Sequence, residues 1–314
     1  MDPTGSTAGS DVPSTDGAEA SESLKVGSSA GLRVALIGTG SVGTAVALLL
    51  ARHGHGISGV ASRTETSARA AGARLDARVF DHTRGLPESD VVLIGTSDDA
   101  IEEVCDLVAE HVSPGTTVCH FAGSLGLGPL RAALATGAHA CALHPVQALP
   151  DADTALARLP GSAWGVTTSQ GARAWAFSLV SNELEGHPVQ VAEEHRPLWH
   201  AAAVTTSAGL RALLSSAVAM LESIGVEDGP AVLAPLASGT LANSLEGRGA
   251  TLTGPFVRGE TETVARHLTS LEAYAPELKA DYVRIATLIL EGVVRLRRLP
   301  PDAQSSIRAL LESA

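Results

Sequence analysis

The run Arg33-Val34-Ala35-Leu36-Ile37-Gly38-Thr39-Gly40-Ser41-Val42-Gly43-Thr44-Ala45 limits the possible folds of this chain more than any other stretch. A short apolar strand empties into Gly-x-Gly-x-x-Gly, and a helix-forming segment follows at once. The first glycine permits a tight turn, the second lets a pyrophosphate approach the backbone, and the third lets helix and strand pack closely. The helix start beyond them presents unpaired N–H groups and the positive end of its dipole. Three glycines at this spacing would mean little in a chain with 32 of them. The strand before and the helix after make Gly38, Thr39, Gly40, Ser41, Val42 and Gly43 a candidate dinucleotide loop.

The next strand, 56–61, ends in Ser62-Arg63-Thr64. A site for NAD usually places Asp or Glu about 20 residues past the glycines, where it binds the ribose hydroxyls and repels a 2′-phosphate. Here Arg63 stands 20 residues after Gly43, flanked by two hydroxyls. A guanidinium matches a phosphate by its fork of donors, which favours NADP(H). The competing reading is a solvated loop arginine.

Strand and helix then alternate to about residue 168, with strands expected at 90–96, 116–121 and 138–143, helices at 41–53, 66–73, 98–111 and 125–134, and a weaker strand at 78–80. This alternation specifies a parallel sheet covered by helices, a Rossmann-type α/β domain, in which ligands gather at the carboxyl ends of the strands. Beyond 183 the strand signal stops. Helices are expected at 193–224, at 227–245 with a bend at Pro235, at 260–273 and at 277–299, the last ended by Pro300-Pro301 with Asp302 as cap of a final short helix. The expected division is therefore a disordered tail over 1–30, the α/β domain over 31–185 and an all-helical substrate and dimerisation domain over 186–314. A long helix joining two such domains suits a homodimer.

Composition narrows the partners. A formal charge of −12 without a basic stripe argues against nucleic acid. Cys105, Cys119 and Cys141 are too few and too scattered for a disulfide frame or a zinc site, and read as buried residues of a reduced cytoplasmic protein. No stretch reads as long and apolar enough for a membrane span, so no membrane partner is expected; the scattered cysteines leave no metal expected either.

Polar groups cluster where the strands end. Thr96, Ser97 and Asp98 follow the 90–96 strand beside the expected nicotinamide ribose, although Asp98 reads equally as a helix N-cap. Ser124 follows 116–121, and His144 follows 138–143 with Pro145 stopping the ladder. Hydride transfer to a carbonyl needs a donor for the developing charge and then a proton source. A histidine titrating near neutrality serves both, with Ser124 as second donor; the plain alternative for His144 is a turn residue bonded to backbone. His120 reads as a weaker candidate. In the helical region, His200 is either a functional group or a satisfied interface histidine, Asn243 either a substrate contact or a cap. Arg258 either holds an anion or sits in a turn that caps the following helix.

Together Gly38-Thr39-Gly40-Ser41-Val42-Gly43, Leu143-His144-Pro145-Val146-Gln147, His200-Ala201-Ala202-Ala203-Val204 and Thr253-Gly254-Pro255-Phe256-Val257-Arg258-Gly259-Glu260, with Thr263-Val264-Ala265-Arg266-His267-Leu268, resemble the bacterial Rossmann-like proteins that carry a C-terminal helical domain of unknown function 2520. That family is similar to pyrroline-carboxylate reductases, ketopantoate reductases and 3-hydroxyacid dehydrogenases. The resemblance implies an NADP(H)-dependent oxidoreductase acting on a small carbonyl, such as a 2-oxo acid of the ketopantoate kind, or on an imine; the alternative is a sensor that binds NADP(H) without turnover, which the lack of one lysine favours. The lysine of hydroxyacid dehydrogenases has no counterpart here: the helix that would carry it offers His200, Ser207 and Arg211. Ser124 and His144 look more like the groups of prephenate dehydrogenases that meet the substrate hydroxyl.

Overall fold

A computed structural model describes residues 31–247 and 253–314. The expected tail over 1–30, and Thr251 and Leu252 of the loop before Thr253, lie outside the described residues. The chain forms two compact units, the first ending at Ala202 and the second running from Ala203 to Ala314.

The first unit is built on seven strands: β1 (Arg33–Ile37), β2 (Gly56–Ala61), β3 (Val91–Ile94), β4 (Thr117–His120), β5 (His139–Pro145), β6 (Ala163–Thr168) and β7 (His187–Gln190). They lie in the order β2-β1-β3-β4-β5-β6-β7. Strands β1 to β5 pair in parallel, β6 runs antiparallel to β5, and β7 is parallel to β6. The chain leaves β1 for β2 on one side and returns to β3 on the other, so the strand order reverses at β1, the place where an open sheet forms its ligand crevice. Helices α1 (Ser41–Arg52), α2 (Glu65–Leu75), α3 (Ile101–Ala109), α4 (Arg131–Ala135), α5 (Ala152–Arg158) and α6 (Arg173–Ser178) lie in the connections between strands, and α7 (Arg196–Val204) follows β7.

Every residue of β3 is buried, as a strand with helices on both faces demands. Alternation divides its side chains: Val91 and Leu93 join Leu36, Leu143 and Trp164 in one core, whereas Val92 and Ile94 join Ile37, Ile101 and Val118 in the other. Cys105, Cys119 and Cys141 are buried free thiols.

The first unit departs from its sequence reading in five places, the first of them β6, which runs antiparallel in a sheet expected to be parallel. Residues 78–80 contribute one isolated bridge, Val60 to Val79. Strand β7 forms beyond the point where strand signal stopped; it is a four-residue edge strand whose side chains are mostly exposed, so no apolar pattern announces it. His144 lies within β5, and Pro145 pairs with Trp164 instead of stopping the ladder. The boundary expected at 185/186 falls after Ala202, because β7 and the first residues of α7 pack with the sheet.

The second unit is helical: α8 (Leu210–Glu222), α9 (Gly229–Leu245), α10 (Pro255–Arg258), α11 (Thr261–Tyr274), α12 (Lys279–Arg295) and α13 (Pro301–Glu312). Pro235 lies inside α9. The cap of α13 is Pro300, and Asp302 sits in the first turn as a charge suited to the dipole. The core gathers Phe256, Val264, Leu290, Val293, Ile307 and Leu311. His267 Nδ1 and Tyr282 Oη meet at 2.7 Å, tying α11 to α12. By contrast α8 buries none of its residues and α9 only Gly229.

One helical run, Glu193–Glu222, has an 18-residue window of mean hydropathy 1.3, long and apolar enough by composition to cross a membrane, and 6% of that window is buried. This corrects the expectation of no such stretch. Its alanines, leucines and small hydroxyls keep hydropathy high where charges are sparse, a pattern that a helix with an apolar interface shares.

Candidate functional site

The glycine loop is built as its sequence demands. Gly38 has φ +86°, and a Cβ there would stand 2.5 Å from the backbone nitrogen of Thr96. The Gly40 N–H donates to the Gly95 carbonyl at 3.3 Å. Gly95, which the sequence reading passed over, is as constrained as the motif glycines, because its Cβ would lie 2.6 Å from the Gly38 carbonyl oxygen. Gly43 packs its own Cα face on Gly95, leaving backbone against backbone just past the ends of β1 and β3. Gly40 is the N-cap of α1 and no side chain bonds the helix start, so the first N–H groups of α1 keep their capacity for an anion. Thr39 Oγ1 meets Ser62 Oγ at 3.1 Å, joining the loop to the end of β2, and Ser41 Oγ donates to the Leu149 carbonyl. Val42 packs against the sheet core.

An open pocket of about 630 Å³ adjoins that end of β2, lined by Ser62, Arg63, Glu65, Phe80, Asp81 and His82 among others. Glu65 is paired with Arg69, and Asp81 accepts from Thr83 and pairs with Arg84. Arg63 makes no ion pair within the described residues and is exposed at the pocket. His82 is a second basic group beside it that sequence reading missed. Thr64 caps α2, accepting from Ser67 N. Across the crevice Thr96 Oγ1 donates to the Ser97 carbonyl, and the N-cap of the short turn that follows is Ser97, leaving Asp98 exposed in its first position. The capping alternative for Asp98 is thereby removed.

The ends of β4 and β5 hold a cluster that joins His144, His200 and Trp199. The Trp199 indole Nε1–H donates to His144 Nδ1 at 3.0 Å, and the His200 ring meets the His144 ring edge-on with centroids 5.5 Å apart. Two glycines make room for these rings. A Cβ on Gly165 of β6 would stand 2.6 Å from the Trp199 ring, and one on Gly123 would stand 2.9 Å from His144 Nε2 and collide with His200. Ser124, half-buried, follows Gly123 in the same turn.

Beneath them lies Arg196, wholly buried. Its Nε donates to the Leu125 carbonyl at 3.0 Å, Nη1 to Gly165 at 3.0 Å and Ala142 at 3.4 Å, and Nη2 to Ala122. One guanidinium thus fastens the turn after β4 to β5 and β6, satisfying a buried cation with carbonyl dipoles. Burial pulls its pKa down to about 10, so it stays charged at neutral pH. Glu193, one turn earlier, accepts from the backbone N–H groups of Leu127 and Gly128 at 2.7 and 3.3 Å. Neither Arg196 nor Trp199 was singled out from sequence; a glycine inside β6 was the available sign that something approaches the strand closely.

His144 differs from its sequence reading in protonation. Burial first, then the positive charge of Arg196 and the neighbouring His200, push its pKa down to about 4, so it is a neutral donor and not a proton source near neutrality. His120 is a structural residue: Nε2 bonds the Gly126 carbonyl at 2.7 Å, and Nδ1 accepts from Ala122 N.

Asn243 and Arg258 belong to the second unit. Arg258 pairs with Glu260 on the surface, Gly259 closes α10 at φ +70°, and Phe256 enters the core, so the Thr-Gly-Pro-Phe-Val-Arg-Gly-Glu segment is a built turn. Asn243 is a half-buried residue of α9.

Three solved structures place this fold among known ones. A candidate NADP oxidoreductase from Bacteroides fragilis is 23% identical, with 83% of this chain and 98% of that chain covered at a TM-score of 0.69. An Aspergillus terreus reductive aminase, solved with NADPH4, cyclohexanone and allyl amine, is 18% identical over 88% and 99% at 0.62. A Coxiella burnetii pyrroline-5-carboxylate reductase is 14% identical over 89% and 97% at 0.53. No curated protein matches the sequence. Residues 16–145 match the model of a Rossmann-like domain, and residues 162–289 match that of DUF2520, a domain of unknown function.

Proposed function

We propose that this protein is an NADPH-dependent reductase of small carbonyl compounds, with His144 as the donor that stabilises charge on the substrate oxygen. The observation that carries the reading is the His144 cluster at the ends of β4 and β5, on the same sheet edge as a glycine cradle that no Cβ would fit. Gly38 to Gly43 would hold the pyrophosphate, and Arg63 with Ser62 the 2′-phosphate. NADPH, when bound, supplies the hydride. His144 donates a hydrogen bond to the heteroatom as negative charge builds there, Ser124 stands in the adjoining turn as second donor, and the proton comes from solvent. His200 walls the site against Gly123.

A 2-oxo acid of ketopantoate's kind is the first substrate class. Reduction of an imine is the second, favoured by the reductive aminase and pyrroline-5-carboxylate reductase among the similar structures. The exposed apolar residues of α8 and α9, among them Leu213, Leu236 and Leu245, suit a homodimer in which a second copy covers them. The three buried thiols suit the reducing cytoplasm.

NADPH oxidation followed over a panel of small 2-oxo acids, ketones, cyclic imines and ketone–amine mixtures tests the reading. Turnover with one class supports it. Tight NADPH binding with no oxidation across the panel overturns it in favour of a sensor.

A further inference from the structure

We propose that Trp199 is a positioning residue that fixes His144 as the neutral tautomer protonated on Nε2, so that this free N–H is the hydrogen-bond donor presented to the substrate. The inference rests on the reductase reading for its purpose, and on geometry for its content.

An indole N–H is a donor only. Its bond to His144 Nδ1 therefore requires a lone pair on that nitrogen, and the single proton of the neutral ring must sit on Nε2. Protonating Nδ1 would set two N–H groups against each other. The groups facing the ring work in the same direction. Arg196, from α7 beneath, brings a positive charge with no carboxylate bonded to it; His200, also from α7, meets the ring edge-on; and no carboxylate bonds His144 among the described residues. The depressed pKa agrees with that geometry.

Two glycines show that the arrangement is built. Gly165 gives the indole the space it occupies between β6 and the His144 ring, since any side chain there would displace it. Gly123 keeps the space before Nε2 open, since its Cβ would stand 2.9 Å from that atom. Nε2 makes no hydrogen bond to a described residue, so its donor capacity is unspent. The consequence is a division of labour: His144 stabilises the developing negative charge without giving up its proton, because a neutral imidazole is a very weak acid. The pH profile of kcat should then lack a histidine limb between about pH 5 and pH 8.

The test uses the full chain labelled with ¹⁵N-histidine and free of cofactor. Long-range ¹⁵N–¹H correlations report which ring nitrogen is protonated, and the His144 signals are those lost in His144→Gln. Trp199→Phe keeps an aromatic side chain and removes the N–H, with a smaller ring. The expected result is a single Nε2–H tautomer in the native protein, unchanged from about pH 8 to about pH 5. In Trp199→Phe both tautomers appear, the apparent pKa rises, and kcat falls about tenfold with NADPH affinity unchanged. A native His144 that carries its proton on Nδ1 or titrates near 6.5, or a Trp199→Phe spectrum identical to the native one, overturns the inference. Failure of turnover across the substrate panel with the tautomer fixed as described sinks the reductase reading alone, because the spectra need no substrate.

Discussion

The two units of this chain treat their apolar residues in opposite ways. In the first, side chains divide by strand alternation into two cores, and even Arg196, the one wholly buried charge among its described residues, is satisfied by carbonyls. In the second, α10 to α13 close a small core, while α8 and α9 leave Leu236 68% and Leu245 78% exposed. The described residues of the first unit keep their large apolar side chains mostly inside, whereas those of the second present an apolar surface on α8 and α9. In the proposed reading, catalytic geometry and assembly fall in different parts of the sequence, and substitutions should separate them.

The sharpest contrast comes from placing the same change in each unit. Leu93→Asp puts an unpaired carboxylate into β3, and a loss of at least about 4 kcal/mol, enough to prevent folding, is expected in denaturant unfolding. Leu236→Asp should leave circular dichroism intact and halve the sedimenting mass; an unchanged mass would break the dimer reading. Next in size, His144→Ala, which removes the donor, should lower kcat by roughly 10²- to 10³-fold with NADPH affinity held, measured by steady-state kinetics and fluorescence titration. Arg63→Ala should weaken NADPH by about 10- to 100-fold and leave NADH unchanged, the size of one or two charge-assisted hydrogen bonds. The smallest effect is in the pH dependence of stability. The folded pKa of His144, about 4, lies below its ordinary 6.5, so the unfolded chain takes up more protons between those values. Stability should decline as pH falls from about 6.5 toward 4, and His144→Gln should remove that part of the decline.

The legible part of the molecule is the local part. Glycine spacing, strand alternation and the Pro300-Pro301 stop act within a few residues, so β1, α1 and the long helices stand in the sequence to within a turn. The placing of Ser62 and Arg63 at the end of β2 needed only the distance from the glycines. What escaped depends on tertiary contact. Trp199 meets His144 across 55 positions, and Arg196 reaches carbonyls 31 to 74 positions away, bonds to backbone that leave no trace in side-chain pattern. Gly95 is a motif glycine in all but sequence position, because its constraint comes from Gly38 across the sheet. The pKa of His144 escaped for the same reason, since burial and the charge beneath it are properties of the folded site.

A crystal structure of the native protein with NADP⁺ tests the central claim most directly. The account predicts the pyrophosphate on Gly38 to Gly43, the 2′-phosphate on Arg63, and the nicotinamide at the ends of β4 and β5 facing His144 Nε2 across Gly123. A cofactor bound with its nicotinamide away from His144, or no cofactor bound at saturating concentration, would contradict it.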